Sequence, residues 1–261
     1  MTENGKMTAR LDFTGTKVFV TGGTRGIGRA IAMEFAKSGA TVAVNFLRNR
    51  EAAEETVNEL KEFGDGHIAV KGNVADPAKI SRMFDQIGDA WGELNVLISN
   101  AASGVLKPAM EMTWKHLHWT MDINASAILP LTQGAVALMP EGKGGKIVAV
   151  SSLGATRALP NYFAVGASKG ALESMVRHLM YELAPMGINV NAVSAGVVDT
   201  EALTHFPNRE EMLGEGLAKT PSGRLTTPLD VANSVMFLCS RYATQIHGQT
   251  LVIDGGSSVV A

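Results

Sequence analysis

Seven short runs along the chain are apolar at nearly every position, and segments with a helical spacing of apolar residues separate them. The runs are residues 17–21, 41–46, 67–70, 94–99, 146–150, 188–193 and 250–253. After the first run, Ile27, Ile31 and Phe35 fall on one helical face and Ser38-Gly39 closes the segment. A charged helix is expected over 50–63, ending at Gly64. Another begins at Pro77 and reaches about Trp91, and a long helical region runs from about 112 to 139. A helix follows Pro160 and stops near Pro185 and Gly187, and a last one spans about 229–240. Strands that are apolar throughout must be covered on both faces. Their alternation with helices therefore predicts a parallel seven-stranded sheet in a doubly wound α/β fold. No repeat or linker interrupts the pattern, so one domain is expected over 1–261, with 1–12 as a mobile tail. Residues 201–221 are polar and carry Pro207, Gly214, Gly216 and Pro221. They read as an irregular stretch long enough to serve as a substrate lid.

Composition narrows the function classes. Hydrophobic residues make up 46% and charged residues 18%, which supports a large core and argues against disorder. A formal net charge of −2 provides no electrostatic attraction for nucleic acid or an acidic membrane surface. Cys239 is the one cysteine, so internal disulfides are excluded and a reducing compartment fits. It lies in the apolar run Val235-Met236-Phe237-Leu238 and reads as a small buried hydrophobe. The first ten residues lack the apolar core of a signal peptide, and no stretch is apolar enough to span a bilayer. The expected location is the cytoplasm. No histidine, cysteine and carboxylate cluster has metal-ligand spacing; His116, His118 and Trp119 read as surface or interface residues of a helix.

The chemistry begins at the first strand-to-helix turn, Gly22-Gly23-Thr24-Arg25-Gly26-Ile27-Gly28. Glycines let a backbone turn sharply and approach a pyrophosphate, whose charge then meets the free N–H groups of the helix start. The turn follows the first strand and opens the first helix, which is the context a dinucleotide site of the Rossmann type requires. The second strand ends Asn45-Phe46-Leu47-Arg48, without the carboxylate that would hold a ribose diol. Arg25 and Arg48 could both reach that ribose, and two guanidinium groups favour a 2′-phosphate. NADP(H) is therefore the expected cofactor.

A second constellation lies at Ser151-Ser152 and Asn161-Tyr162-Phe163-Ala164-Val165-Gly166-Ala167-Ser168-Lys169. Seven helical steps bring Tyr162 to within about 20° of Lys169, roughly 10 Å apart along the axis. A phenol and an ammonium would then face the same way.

The Thr-Gly-x-x-x-Gly-x-Gly spacing resembles the short-chain dehydrogenase/reductase family, and further segments match it along nearly the whole chain. Ser99-Asn100-Ala101-Ala102 resembles the family's Asn-Ala-Gly motif, with Ala102 in place of glycine. Asn124, Ser152 and Lys169 match family residues of the active site. Asn191-Ala192-Val193-Ser194-Ala195-Gly196 matches the usual Pro-Gly segment, with Ala195 in place of proline. Gly248-Gln249 and Asp254-Gly255-Gly256 match the family's ending. The resemblance implies that Asn73 and Val74 sit against the adenine, Asn100, Ala101 and Ala102 along the ribose, and Val198 beside the carboxamide. It also implies a homotetramer built on the long helices around Asn124 and Lys169.

One departure sets the expected activity. Most family members carry the catalytic tyrosine four residues before the lysine, where Val165 stands here. The Tyr162-x6-Lys169 spacing is similar to that of enoyl-acyl-carrier-protein reductases. Together with Asn100–Leu106 and His205–Glu210 it resembles enoyl-acyl-carrier-protein reductase III, the NADPH-dependent form. That resemblance implies hydride transfer to the β-carbon of a trans-2-enoyl thioester carried on acyl carrier protein, in fatty-acid synthesis. A phenol displaced by roughly 4–5 Å suits an oxyanion that develops away from the carbon receiving hydride. Tyr162 would stabilise the enolate, and Lys169 would hold the nicotinamide ribose and favour a more acidic phenol. Ser152 would lie near the substrate oxygen, and Asn124 would hold backbone or water. Two alternatives stay open: a ketone or tailoring reductase, and a dinucleotide-binding protein without catalysis.

Overall fold

The computed structural model describes residues 11–201 and 209–260. Seven parallel strands form one sheet in the order β3-β2-β1-β4-β5-β6-β7. They are β1 (Lys17–Val20), β2 (Thr41–Phe46), β3 (Ile68–Lys71), β4 (Val96–Ser99), β5 (Gly145–Ser152), β6 (Ile188–Ala195) and β7 (Thr250–Ile253). The helices are α1 (Gly26–Lys37), α2 (Arg50–Leu60), α3 (Pro77–Trp91), α4 (Trp114–Met121), α5 (Ile128–Leu138), α6 (Phe163–Leu183), α7 (Arg209–Ala218) and α8 (Pro228–Cys239).

The inner strands are buried from both sides because two apolar layers cover the sheet, while Leu251 and Val252 of the edge strand β7 stay exposed. On one face Ile31, Phe35, Leu60, Val231 and Val235 from α1, α2 and α8 pack on Val18, Val20, Val42 and Val44. On the other, Ile80, Met83, Ile87, Leu131 and Leu172 from α3, α5 and α6 pack on Phe19, Leu97, Ile147 and Val190. Alternate residues of one strand thus serve opposite cores, which is why each strand reads as a continuous apolar run. A fully buried side chain of this size contributes roughly 1.5–3 kcal/mol over an exposed one.

Helix boundaries follow local chemistry. Asp76 caps α3 by accepting from Ala78 N (3.0 Å), with Pro77 at the first helical position, and Gly92 ends it at φ +71°. Thr227 and Asp230 form a capping box at α8. The helical region expected over 112–139 is divided. α4 starts at the Thr113 cap, and residues Asp122–Ser126 form a π-helical turn before α5. Such a widened turn moves the side chains after it off the α-helical register.

Three further readings change. β5 and β6 run two residues past the apolar runs, because Ser151 pairs with Ser194 and Ser152 with Ala195 while the side chains turn polar or small. Tyr162 lies just before α6 as its N-cap residue rather than inside it. Asn161, at φ +58°, turns the chain there, so helical-wheel spacing does not apply to Tyr162. The stretch expected to be irregular contains α7, whose Arg209 donates to both carboxylate oxygens of Asp199 at 2.7 and 2.8 Å. The rest of the expected lid, residues 202–208, lies outside the described residues, as do residues 1–10 of the expected tail.

Candidate active site

Strand order reverses direction at β1 and β4, and the crevice between their carboxyl ends is where an open α/β sheet takes a ligand. Hydrogen bonds fix that crevice from both sides. Thr21, fully buried at the end of β1, accepts from Asn100 N (2.9 Å) and Ala101 N (3.0 Å) through its hydroxyl. The Asn100 amide returns bonds to the carbonyls of Thr21 (2.9 Å) and Gly22 (3.1 Å). Asn45 Oδ1 accepts from Gly22 N (3.2 Å), while its Nδ2 donates to the carbonyls of Val70 and Gly72. The Asn45 side chain is therefore directed inward.

The glycine turn is shaped for close approach. Gly22 and Gly26 stand at φ +61° and +52°. A side chain on Gly28 would overlap the Gly22 carbonyl and the Asn100 amide. The helix start that follows has no internal acceptor: Arg25 is the N-cap residue and makes no side-chain cap, and the first turn has no acidic residue. Free N–H groups at the positive end of a helix fit a pyrophosphate. Arg25 and Arg48 are both exposed, and neither guanidinium has a hydrogen bond or ion pair among the described residues. The turn and both arginines therefore fit a phosphorylated dinucleotide.

Asn73, Val74, Ala195 and Val198 are placed by the sheet ends. Asn73 Oδ1 accepts from Ala75 N (3.0 Å) after β3, and Val74 is 7% exposed in the second core layer. Ala195 ends β6 beside Ser152, and Val198 bridges to Thr226. Ile27 and Ala101 are half-buried at the crevice, Thr24 also, while Ala102 is exposed.

The second constellation gathers at the carboxyl end of β5. Tyr162 Oη and Ser152 Oγ are 3.3 Å apart. Lys169, 5% exposed, donates to the Val150 carbonyl at 2.7 Å. Two side chains of one segment thus reach the same strand end two residues apart. Burial holds the ammonium down to about 8, opposed by the negative charge of Glu173 one turn later. Burial also pushes the Tyr162 phenol up, with the Ser152 hydrogen bond acting in the opposite sense. The expected acidification of the phenol is thus reversed here: it is a neutral hydrogen-bond donor at ordinary pH. Asn124, in the π-helical turn, accepts from Ser103 N (2.9 Å) and donates to Ser168 Oγ (3.0 Å), and Ser168 donates to the Val165 carbonyl (2.7 Å). One amide therefore ties the loop after β4 to the helix that carries Lys169.

Val165 is 8% exposed and packs on Gly104; a side chain on Gly104 would overlap its Cγ2. The position of the usual tyrosine is therefore filled by a packed aliphatic group. Sequence reasoning missed Thr21, Asn45, Ser168 and Glu173, whose roles depend on partners far along the chain. Glu173 is 8% exposed and accepts from Ser151 Oγ at 2.6 Å. Its spacing of four from Lys169 was the available signal.

Side chains elsewhere have ordinary surroundings. Arg224 forms a bidentate pair with Asp230, at 2.6 and 2.9 Å. His116 completes the cap of α4. Cys239 is buried with its thiol pushed up to about 12 by burial, so it is inert as a nucleophile. Among the described residues no group of histidine, cysteine and carboxylate side chains could hold a metal ion, and no helix is long and apolar enough to cross a membrane.

Comparison with known proteins gives consistent results. Residues 22–258 match the family described as Enoyl-(Acyl carrier protein) reductase. A 1-cyclohexenylcarbonyl-CoA reductase from Streptomyces collinus is 40% identical over 93% of this chain and 86% of its own. A hydroxynaphthalene reductase-like protein, Arp2, from Metarhizium robertsii is 32% identical over 94% and 95%. Among solved structures, a short-chain dehydrogenase from Burkholderia cenocepacia in complex with NADP superposes with a TM-score of 0.88 at 30% identity. The match covers 95% of this chain and 99% of that one.

Proposed function

This chain belongs to the short-chain dehydrogenase/reductase family, in its enoyl-(acyl carrier protein) reductase-like group; we propose that it is an NADPH-dependent reductase of the carbon–carbon double bond of 2-enoyl thioesters. The observation that carries this reading is the exchange of places at the start of α6. Val165 is packed against Gly104 where a ketoreductase tyrosine would stand, and the Tyr162 hydroxyl instead lies 3.3 Å from Ser152 Oγ. The relative from Streptomyces collinus, named for a 1-cyclohexenylcarbonyl-CoA substrate, supports a thioester with a conjugated double bond.

In this reading the bound nicotinamide supplies the hydride. The free N–H groups at the start of α1 hold the pyrophosphate, and Arg25 and Arg48 hold the 2′-phosphate, as the structure bound to NADP supports for the family. The neutral Tyr162 phenol donates a hydrogen bond to the thioester oxygen, where negative charge would gather as the enolate forms at a distance from the β-carbon, and a proton from solvent would then complete the α-carbon. Ser152 holds the phenol on the side of β5. Lys169 carries positive charge beneath this site, where it favours the developing oxyanion and the nicotinamide ribose hydroxyls. Asn124 fixes the loop after β4 against α6 and so sets the width of the substrate crevice.

The acyl carrier is either acyl carrier protein, as the family description suggests, or coenzyme A, as the relative's name suggests. Turnover of the carrier-bound substrate would place the enzyme in fatty-acid synthesis. A homotetramer is proposed through α4, α5 and α6, where Trp114, Trp119, Leu129 and Tyr181 are exposed.

NADPH oxidation is to be followed with crotonyl-CoA, crotonyl-acyl carrier protein and acetoacetyl-CoA. Turnover of a crotonyl thioester is expected; turnover of acetoacetyl-CoA alone would overturn the proposal in favour of ketone reduction. Binding of NADPH without turnover on any of the three would make the protein a dinucleotide binder only.

A further inference from the structure

Tyr162 precedes the first residue of α6, so its place is not set by helical geometry. Two features hold its backbone. Asn161 lies in the left-handed region at φ +58°, alone among the described non-glycine residues, and its carbonyl accepts from Lys107 N at 3.0 Å. The Tyr162 carbonyl accepts from Gly166 N at 2.7 Å. Neither contact sets the ring.

The ring lies on Gly154, in the 3₁₀ turn Leu153–Ala155 that follows β5. A Cβ on Gly154 would stand 2.5 Å from Tyr162 Cδ1 and would overlap Cε1, and it would be 3.4 Å from Ser152 Oγ. Gly166 of α6 approaches the same turn: a Cβ there would meet the Gly154 carbonyl at 2.8 Å. Gly154 has no positive φ, so its backbone conformation is open to any residue. What glycine provides here is only the space that a side chain would fill.

We infer that Gly154 is a positioning residue for Tyr162: the missing side chain is the slot in which the phenol ring lies, and the slot sets the hydroxyl beside Ser152. The inference rests on the proposed role of Tyr162 as donor to the thioester oxygen. A methyl group in the slot overlaps the ring edge, and the side chain yields more readily than the turn backbone. The ring must rotate away, and its hydroxyl leaves Ser152.

The test combines Gly154→Ala and Tyr162→Ala, singly and together, assayed with NADPH and crotonyl-CoA. Gly154→Ala is expected to lower kcat by at least about tenfold while KM and the NADPH dissociation constant stay within about threefold. In the Tyr162→Ala background, where no ring needs the slot, the same change is expected to cost less than about twofold. Nitration supplies a readout apart from activity. Tyr242, 61% exposed, serves as the internal standard, and Tyr162, half-buried, is expected to become more reactive in Gly154→Ala.

Unchanged kcat in Gly154→Ala, an equal loss in both backgrounds, or unchanged nitration of Tyr162 would each overturn the inference. Full turnover by Tyr162→Ala would refute the catalytic role of the phenol itself, and this inference with it. Loss in Tyr162→Ala without loss in Gly154→Ala refutes only the glycine's role. If Gly154→Ala fails to fold, the double variant, freed of the obstruction, is expected to fold; failure of both overturns the inference.

Discussion

The Lys169 ammonium donates to the Val150 carbonyl at 2.7 Å inside the protein, with the Glu173 carboxylate one helical turn away as its charge partner. Burial brings its pKa from the 10.5 of an exposed lysine to about 8. Two consequences follow for pH. The reductase rate is expected to fall as pH rises through about 8, as the charge beneath the oxyanion is lost. Glu173→Gln removes the charge that favours the ammonium and should move this limb to lower pH. A pH–rate profile of both proteins checks this, and coincident limbs would refute the coupling.

Stability should change in the opposite sense. Below about 8 both folded and unfolded chains carry the Lys169 proton, and the cost of burying the charge is fully present. Between about 8 and 10.5 the unfolded chain binds the proton that the folded chain has released, so stability rises with pH. The gain is at most about 3 kcal/mol. Urea unfolding at pH 7.5 and 9.5 should show the wild type gaining relative to Lys169→Met; a constant difference between the two proteins would exclude this assignment.

Arg25 and Arg48 are exposed and without partners among the described residues, so replacing them removes attraction to a 2′-phosphate without disturbing a contact. Arg25→Ala and Arg48→Ala are each expected to weaken NADPH binding by about tenfold and NADH binding by less than about twofold. Fluorescence titration with both nucleotides measures this. Equal weakening for both would assign the arginines to the shared part of the cofactor.

Asn124→Ala removes the acceptor of Ser103 N and the donor to Ser168 Oγ, leaving a backbone N–H unpaired in a half-buried loop. A stability loss of about 2 kcal/mol is expected. The rate should fall further than Tyr162 geometry alone would require, because the loop after β4 and α6 both lose their tie. Thermal unfolding together with kcat/KM separates the two effects; a variant as stable as the wild type would argue against the bridge.

At Asn161 the two substitutions Gly and Val should diverge. Glycine accepts φ +58° freely, whereas a β-branched residue does not. Asn161→Gly is expected to keep the rate within about threefold, and Asn161→Val to lower it by more than about tenfold by displacing Tyr162 and the Lys107 contact. Steady-state kinetics of the pair decides it, since equal rates would show that this backbone turn does not position the site.

Much of the molecule was legible in the residues themselves. Strands buried on both faces are apolar along their length, so β1 and β2 end where their apolar runs do, within a residue. Helices punctuated by Gly39, Pro77 and Gly92 likewise announce their limits. The glycine turn could be read because its requirement, no side chain at fixed spacings, is local. The spacing of Tyr162, Val165 and Lys169 was visible for the same reason.

The tertiary structure decided what depends on distant partners. Asn45 stands in an apolar strand with nothing local to mark its role, yet its amide bonds Gly22, Val70 and Gly72. The ends of β5 and β6 turn polar, so only the pairing of Ser152 with Ala195 shows that the strands continue. Tyr162 sits outside the helix because Asn161 adopts a left-handed conformation that no periodicity encodes. Its phenol is pushed up rather than down because burial outweighs its hydrogen bond to Ser152. Periodicity reports how a residue faces its own element; which groups meet across elements, and how dry the place is where they meet, is set only when the chain closes on itself.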